Sequence, residues 1–149
     1  MNVVVLGHNQ TIPSFRSRWE KLAKQHPDVN VMVIPPQTWE HESFASPKDA
    51  RFVVAPESRS NYHVVPIEVL NRKGRFVYRS LDLGFRKFHP DIIWVYMDPQ
   101  GFMMQQVLIY HKLFAPEARV VCCTSTNIPT PMDRFDKRWR YQFAIRNIA

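Results

Sequence analysis

The sequence predicts a doubly wound α/β domain: a mostly parallel sheet covered by helices on both faces. Two observations carry that prediction. Short runs at 2–6, 30–34, 91–96 and 119–123 are rich in valine and isoleucine and apolar nearly throughout, as strands buried on both faces are. Segments with helical apolar spacing follow several of them, the pattern of parallel strands joined by crossover helices. The length agrees: 149 residues, 45 % of them hydrophobic, make one domain able to bury roughly two-thirds of the surface an unfolded chain exposes.

Taken in order, residues 2–6 form a buried strand bounded by Gly7, and residues 7–13 a loop. Ser14 is the natural cap of a helix running to about Gln25, with Phe15, Trp19, Leu22 and Ala23 on one face. His26-Pro27-Asp28 ends it, and a second buried strand over 30–34 stops at Pro35-Pro36. A strand, a helix and a parallel strand make a right-handed crossover. The middle is less regular. Residues 52–55 and 75–78 read as short strands. Residues 64–67 read as an extended edge segment, because Pro66 removes a ladder donor.

The final third is sharper. Residues 81–88 form a short helix broken by Pro90, and residues 91–96 a strand. Residues 102–114 form a helix with Val107, Leu108 and Leu113 toward the core, residues 119–123 a strand, and residues 132–148 a basic amphipathic helix.

The formal charge of +7 and a pI near 9.7 favour anionic partners without choosing among phosphates, nucleic acid and anionic lipid. The basic residues are dispersed apart from Arg134, Lys137, Arg138, Arg140 and Arg146. Cys122 and Cys123 are adjacent, so on a strand they face opposite ways and make neither a disulfide framework nor a metal set. A reducing compartment fits them. Met1 leads straight into an apolar run without a basic start, so no signal peptide is expected, and no stretch approaches the ~20 apolar residues that span a bilayer. The six histidines show no metal-ligand spacing; GxGxxG, GxSxG, a Walker loop and CxxC are all absent.

In open α/β sheets ligands bind at the carboxyl ends of strands, which singles out three loops. After the first strand comes Gly7-His8-Asn9-Gln10-Thr11, where His8 and Asn9 can face a ligand and Arg16 can bring charge from the first helical turn. After the strand at 91–96 comes Met97-Asp98-Pro99-Gln100-Gly101. Asp98 fits two roles there: a carboxylate that orients or deprotonates a hydroxyl, or the cap of the next helix. After the strand at 119–123 comes Thr124-Ser125-Thr126-Asn127, whose hydroxyls and amide suit a sugar, a phosphate or an ordinary turn.

A family pattern runs through these segments. Phe15-Arg16-Ser17-Arg18-Trp19 opens the first helix, and Ile34-Pro35-Pro36-Gln37-Thr38-Trp39 follows the second strand. Pro90-Asp91-Ile92-Ile93-Trp94-Val95 leads to the acidic turn Asp98-Pro99. Phe114-Ala115-Pro116-Glu117-Ala118-Arg119-Val120-Val121 leads to Thr124-Ser125-Thr126-Asn127 and a basic helix with Pro131 and Arg134. Over most of its length the chain resembles the N-terminal domain of family 4 (group 1) glycosyltransferases. It departs from them in three places. Gly7-His8-Asn9-Gln10 stands where many members have a glycine pair, Tyr96-Met97-Asp98-Pro99 where a subset has consecutive glutamates before the proline, and Thr124-Ser125-Thr126-Asn127 where relatives carry Thr-Trp-Gln-Asn.

The resemblance implies a Rossmann-like domain, the N-terminal half of a GT-B fold, with residues 1–149 forming the acceptor side. The donor-binding domain, absent from this chain, would hold the nucleotide-diphosphate sugar. Transfer would retain anomeric configuration without metal or cofactor, to a saccharide or lipid-linked acceptor, and the fragment alone would be inactive. In this reading Asp98 contacts the acceptor or orders the cleft, His8, Asn9 and Arg16 line the first loop with Arg16 near the donor phosphates, and Asn127 adds a hydrogen bond. The expected location is cytoplasmic, peripheral to the inner face of an anionic membrane.

Two rival readings remain. One is a stand-alone Rossmann-like module that holds an anionic ligand or a protein. The other is nucleic-acid binding through Phe135, Trp139, Tyr141 and Phe143 of the last helix. The helical spacing of those aromatics favours packing instead, and no nucleic-acid partner is expected.

Overall fold

The computed structural model describes residues 1–40, 51–72, 75–124 and 135–148. It is a mixed α/β structure built on a six-stranded, mostly parallel sheet.

β1 (Asn2–Gly7) enters the sheet first, and α1 (Pro13–Gln25) returns the chain to β2 (Asn30–Ile34), parallel to β1. β3 (Thr38–Glu40) and β4 (Arg51–Val53) then pair antiparallel outside the main sheet. β5 (Glu57–Arg59) and β6 (Tyr62–Val64) form a hairpin in which β6 joins β2 in parallel and β5 is the antiparallel edge. A second hairpin, β7 (Val69–Arg72) with β8 (Arg75–Tyr78), and a single π-turn over 83–87 lead to β9 (Ile92–Tyr96). α2 (Phe102–Phe114) connects β9 to β10 (Arg119–Cys123), and α3 (Phe135–Ile145) follows. The sheet runs β10-β9-β1-β2-β6-β5.

Period-two alternation explains why the strand sequences are apolar at every position. Val3, Val5, Val31 and Val33 bury one face under Trp19 and Ala23 of α1. Val4, Leu6, Met32, Ile34, Ile93 and Val95 bury the other under Met104, Val107 and Leu108 of α2, with Phe85 and Ala144 of α3 beside them. With helices on both sides no strand face needs polar residues.

Two local expectations are corrected and two are refined. Ser14 is not the cap of α1. The helix starts on Pro13, whose fixed φ suits the first turn and whose missing N–H needs no acceptor, and Ser14 lies inside the helix with its carbonyl accepting from Ser17 Oγ at 2.9 Å. Of the segment 64–67, only Val64 is a strand residue, paired on both sides between β2 and β5; Val65 and Ile67 donate to the Val33 and Pro35 carbonyls at 2.9 and 3.0 Å, so Pro66, without an N–H, costs this pairing no donor. The strand expected over 52–55 is found at 51–53, in an antiparallel pair with β3 apart from the main sheet. Leu113 is 66 % exposed, because nine residues on from buried Met104 the helix has turned to its opposite face.

Side-chain amides hold what the sheet does not. Gln106 of α2 accepts from the Tyr78 N–H at 2.8 Å and donates to the Tyr78 carbonyl at 2.7 Å, so it serves β8 as a neighbouring strand would. Gln106→Ala leaves both backbone groups without these partners and should cost about 2 kcal/mol, read as a lower urea midpoint at unchanged slope. A loss below about 0.5 kcal/mol would show that water replaces both bonds.

Candidate functional site

Counted from β1, the chain first builds toward β2 and β6, then crosses to the other side of β1 to add β9 and β10. The connections therefore diverge above the carboxyl ends of β1 and β9, the place where open α/β sheets leave a crevice. Register sets the loops at one level: Gly7 pairs with Tyr96, and Tyr96 with Cys123. The hydroxyl of Thr124 donates to Asp98 Oδ1 at 3.0 Å, joining the loops after β9 and β10.

Over this rim lies a cleft of about 500 Å³. His8 lines one side, stacked on Trp39 with ring centroids 5.2 Å apart, and Trp39 leans on Phe76 at 5.0 Å. Asp98 lies at the rim, exposed to solvent. Phe102, the first residue of α2, carries two guanidiniums near its ring: Arg140 Cζ at 4.3 Å and Arg75 Cζ at 5.1 Å. Lys137 completes the cationic side.

Each of these positions has a local cause. Gly101, not Asp98, is the N-cap of α2, and its N–H bonds the Asp98 carbonyl at 2.9 Å. The capping role open to Asp98 is thus not the one it takes, and its carboxylate receives Thr124 instead. α3 is pinned across the cleft because Gln105 donates to the carbonyls of Pro99 (3.0 Å) and Arg140 (3.1 Å), while Arg140 Nε donates to the Gln100 carbonyl at 2.7 Å. Arg140 is only 9 % exposed, so its charge is held in a largely desolvated position.

No family model, curated protein or solved structure matches this chain. The site is therefore read from its own residues. His8 and Asp98 come together at the cleft. Asn9 and Arg16 are not among its lining residues. Asn9 Oδ1 accepts from Gln10 Nε2 at 3.1 Å, and Arg16 Nη1 donates to the carbonyls of Gln10 (2.7 Å) and Thr11 (2.8 Å). Both build the loop that carries His8. Asn127 lies outside the described residues.

Trp39, Arg75, Phe102, Lys137 and Arg140 enter the site without having been singled out for it. A signal existed for Arg140: it falls four residues before buried Ala144, on the inward face of α3, where a cation needs a reason to be. Beneath the rim, Cys122 Sγ lies 3.5 Å from the Met97 carbonyl, and burial pushes its pKa up to about 11, with Cys123 and Asp98 adding to the shift. Near neutrality it is a protonated thiol, a packing group and not a nucleophile.

Proposed function

We propose that this chain is the acceptor-side, Rossmann-like domain of a retaining glycosyltransferase of GT-B architecture. The cleft takes a saccharide acceptor, and a companion domain brings the nucleotide-diphosphate sugar. One observation carries the reading: the loops after β1 and β9 meet at a cleft that offers a carboxylate, Asp98, beside aromatic surfaces at Trp39 and Phe102, and Thr124, directly after β10, donates to that carboxylate. A carboxylate orients sugar hydroxyls, and flat apolar rings suit the C–H faces of a pyranose. The strand order supports the fold half of the proposal. Numbered along the chain, the parallel strands lie 3-2-1-4-5, the first five places of the doubly wound order 3-2-1-4-5-6.

Peripheral membrane contact belongs to the same reading. On α3, Phe135 and Trp139 are 84 % and 58 % exposed, with Arg138 and Arg146 also exposed, a composition suited to an anionic interface. Among the described residues no helix is long and apolar enough to cross a membrane.

The test uses the 149-residue chain, isotopically labelled, against a panel of mono- and disaccharides, with radiolabelled nucleotide-sugars in parallel. Amide shifts should appear at His8, Trp39 and Thr124, while no sugar is transferred until a donor domain is joined to the chain. Transfer by the chain alone, or saccharide shifts confined to other surfaces, would overturn the proposal.

A further inference from the structure

We infer that the acceptor carries a phosphate, seated against Arg75, Lys137 and Arg140 while its sugar reaches Asp98. The inference rests on the acceptor-side reading and names its substrate class.

The argument is one of charge in a concave place. Among the described residues, Arg75, Lys137 and Arg140 line the cleft with one carboxylate, Asp98, which accepts the Thr124 hydroxyl at the rim. Among the described residues, the ion pairs are those of Arg59 with Glu20 and Glu57 and of Arg79 with Glu68, all away from the cleft. Arg75 and Lys137 take part in none of them. A strand (β8) and a helix (α3) far apart in the sequence bring these cations to one wall.

Arg75 and Arg140 stand over the Phe102 ring on one wall with Lys137, and an anion placed between Arg75 and Lys137 is attracted by both, the more so between walls of low polarity. The ring holds each guanidinium by its face. That leaves the N–H edge of Arg75 directed by packing and not by a carboxylate, which is the fork that phosphate oxygens fit. The first turn of α2 opens on the same wall through Gly101, Phe102, Met103 and Met104, and it contains no acidic residue to oppose an anion. A neutral saccharide would use none of this charge.

The test compares glucose, glucose 1-phosphate, glucose 6-phosphate, the corresponding hexosamine phosphates and inorganic phosphate on the wild-type chain. Arg75→Gln, Lys137→Gln and the charge-keeping Arg75→Lys are measured beside it, by titration calorimetry and amide shifts. A hexose phosphate should bind at least about tenfold more tightly than its hexose, and Arg75→Gln and Lys137→Gln should each remove about tenfold of that gain. Arg75→Lys should keep part of it, and rising salt should erode it. Arg75 is exposed and Lys137 half-buried, so unchanged melting temperatures are expected to show that the variants fold.

A glucosyl phosphodiester on a lipid tail, presented in neutral vesicles, separates the two sources of the group. Tighter binding than glucose 1-phosphate points to a lipid-linked acceptor, and equal binding to a free sugar phosphate. Either result supports the inference. Equal affinity for hexose and hexose phosphate overturns the inference and leaves the acceptor-side reading standing. Inorganic phosphate binding as tightly as every sugar phosphate, with no sugar contribution, overturns that reading and the saccharide class with it. Binding of none of the probes overturns both.

Discussion

Gly7→Ala should lower the stability of this chain by about 3–5 kcal/mol, a large part of what a domain of this size possesses. Gly7 closes β1 at φ 151° and ψ 150°, a region open almost only to glycine. The space is closed as well. A Cβ there would stand 2.8 Å from Tyr96 Cβ, 2.9 Å from the Tyr96 carbonyl oxygen and 2.9 Å from Asn9 Oδ1. Asn9 can swing away. Tyr96 cannot, because it is the register partner of Gly7 in the β1–β9 ladder and of Cys123 in the β9–β10 ladder. Relief therefore means parting β1 from β9 at the mouth of the cleft. Gly101→Ala is the matched control: φ there is −69°, the closest approach is 3.1 Å to the Asp98 carbonyl, and the loss should stay near 1 kcal/mol. Urea unfolding of the two variants decides it. A Gly7→Ala midpoint no lower than that of Gly101→Ala would show that the strained backbone and the tight approach relax at little cost.

Gly7 also shows what could be read from the sequence and what could not. A glycine directly after an apolar run marks the end of a strand, and that much was legible, as were the bounds of β2, α2 and β10, where buried periodicity dominates. Which neighbour forbids a side chain at Gly7 was not, since Tyr96 is distant in sequence and only strand order brings it near. The same limit hid the site's cations. Arg75 lies in a hairpin whose place depends on Gln106 gripping Tyr78, an amide-to-backbone pairing with no local pattern. The bonds of Arg16 have no local pattern either: a short polar loop needs its own carbonyls satisfied, and Arg16 meets that need at Gln10 and Thr11. The position of Asp98 at the cleft was legible because loops at the carboxyl ends of parallel strands are few, and a carboxylate in one of them is conspicuous.

Asp98→Asn, made in the chain joined to its donor domain, should reduce kcat for sugar transfer by about 10²–10⁴-fold if the carboxylate takes the acceptor's proton, and should instead raise the acceptor KM by about tenfold if it only holds the hydroxyl. Asparagine is nearly isosteric, and its amide oxygen can still accept the Thr124 hydroxyl, so the joint between the β9 and β10 loops survives. What is lost is the negative charge and the basic oxygen. In the proposed step the acceptor oxygen bonds to the anomeric carbon, the bond to the nucleoside diphosphate breaks, and the hydroxyl proton must leave as the new bond forms. A group that takes that proton acts in the transition state, so its loss falls on kcat; a group that only holds the hydroxyl acts equally in the ground state, so its loss falls on KM for the acceptor. Thr124→Val supplies the comparison. It removes the Thr124 hydroxyl from Asp98 without changing the charge of the carboxylate, and its effect should be the smaller and weigh mainly on KM. Asp98 is exposed and caps no helix, so the melting temperature of Asp98→Asn should stay close to that of the parent. A variant that folds normally and transfers sugar at the parental rate and acceptor KM would remove Asp98 from the chemistry and leave the cleft as a binding site alone.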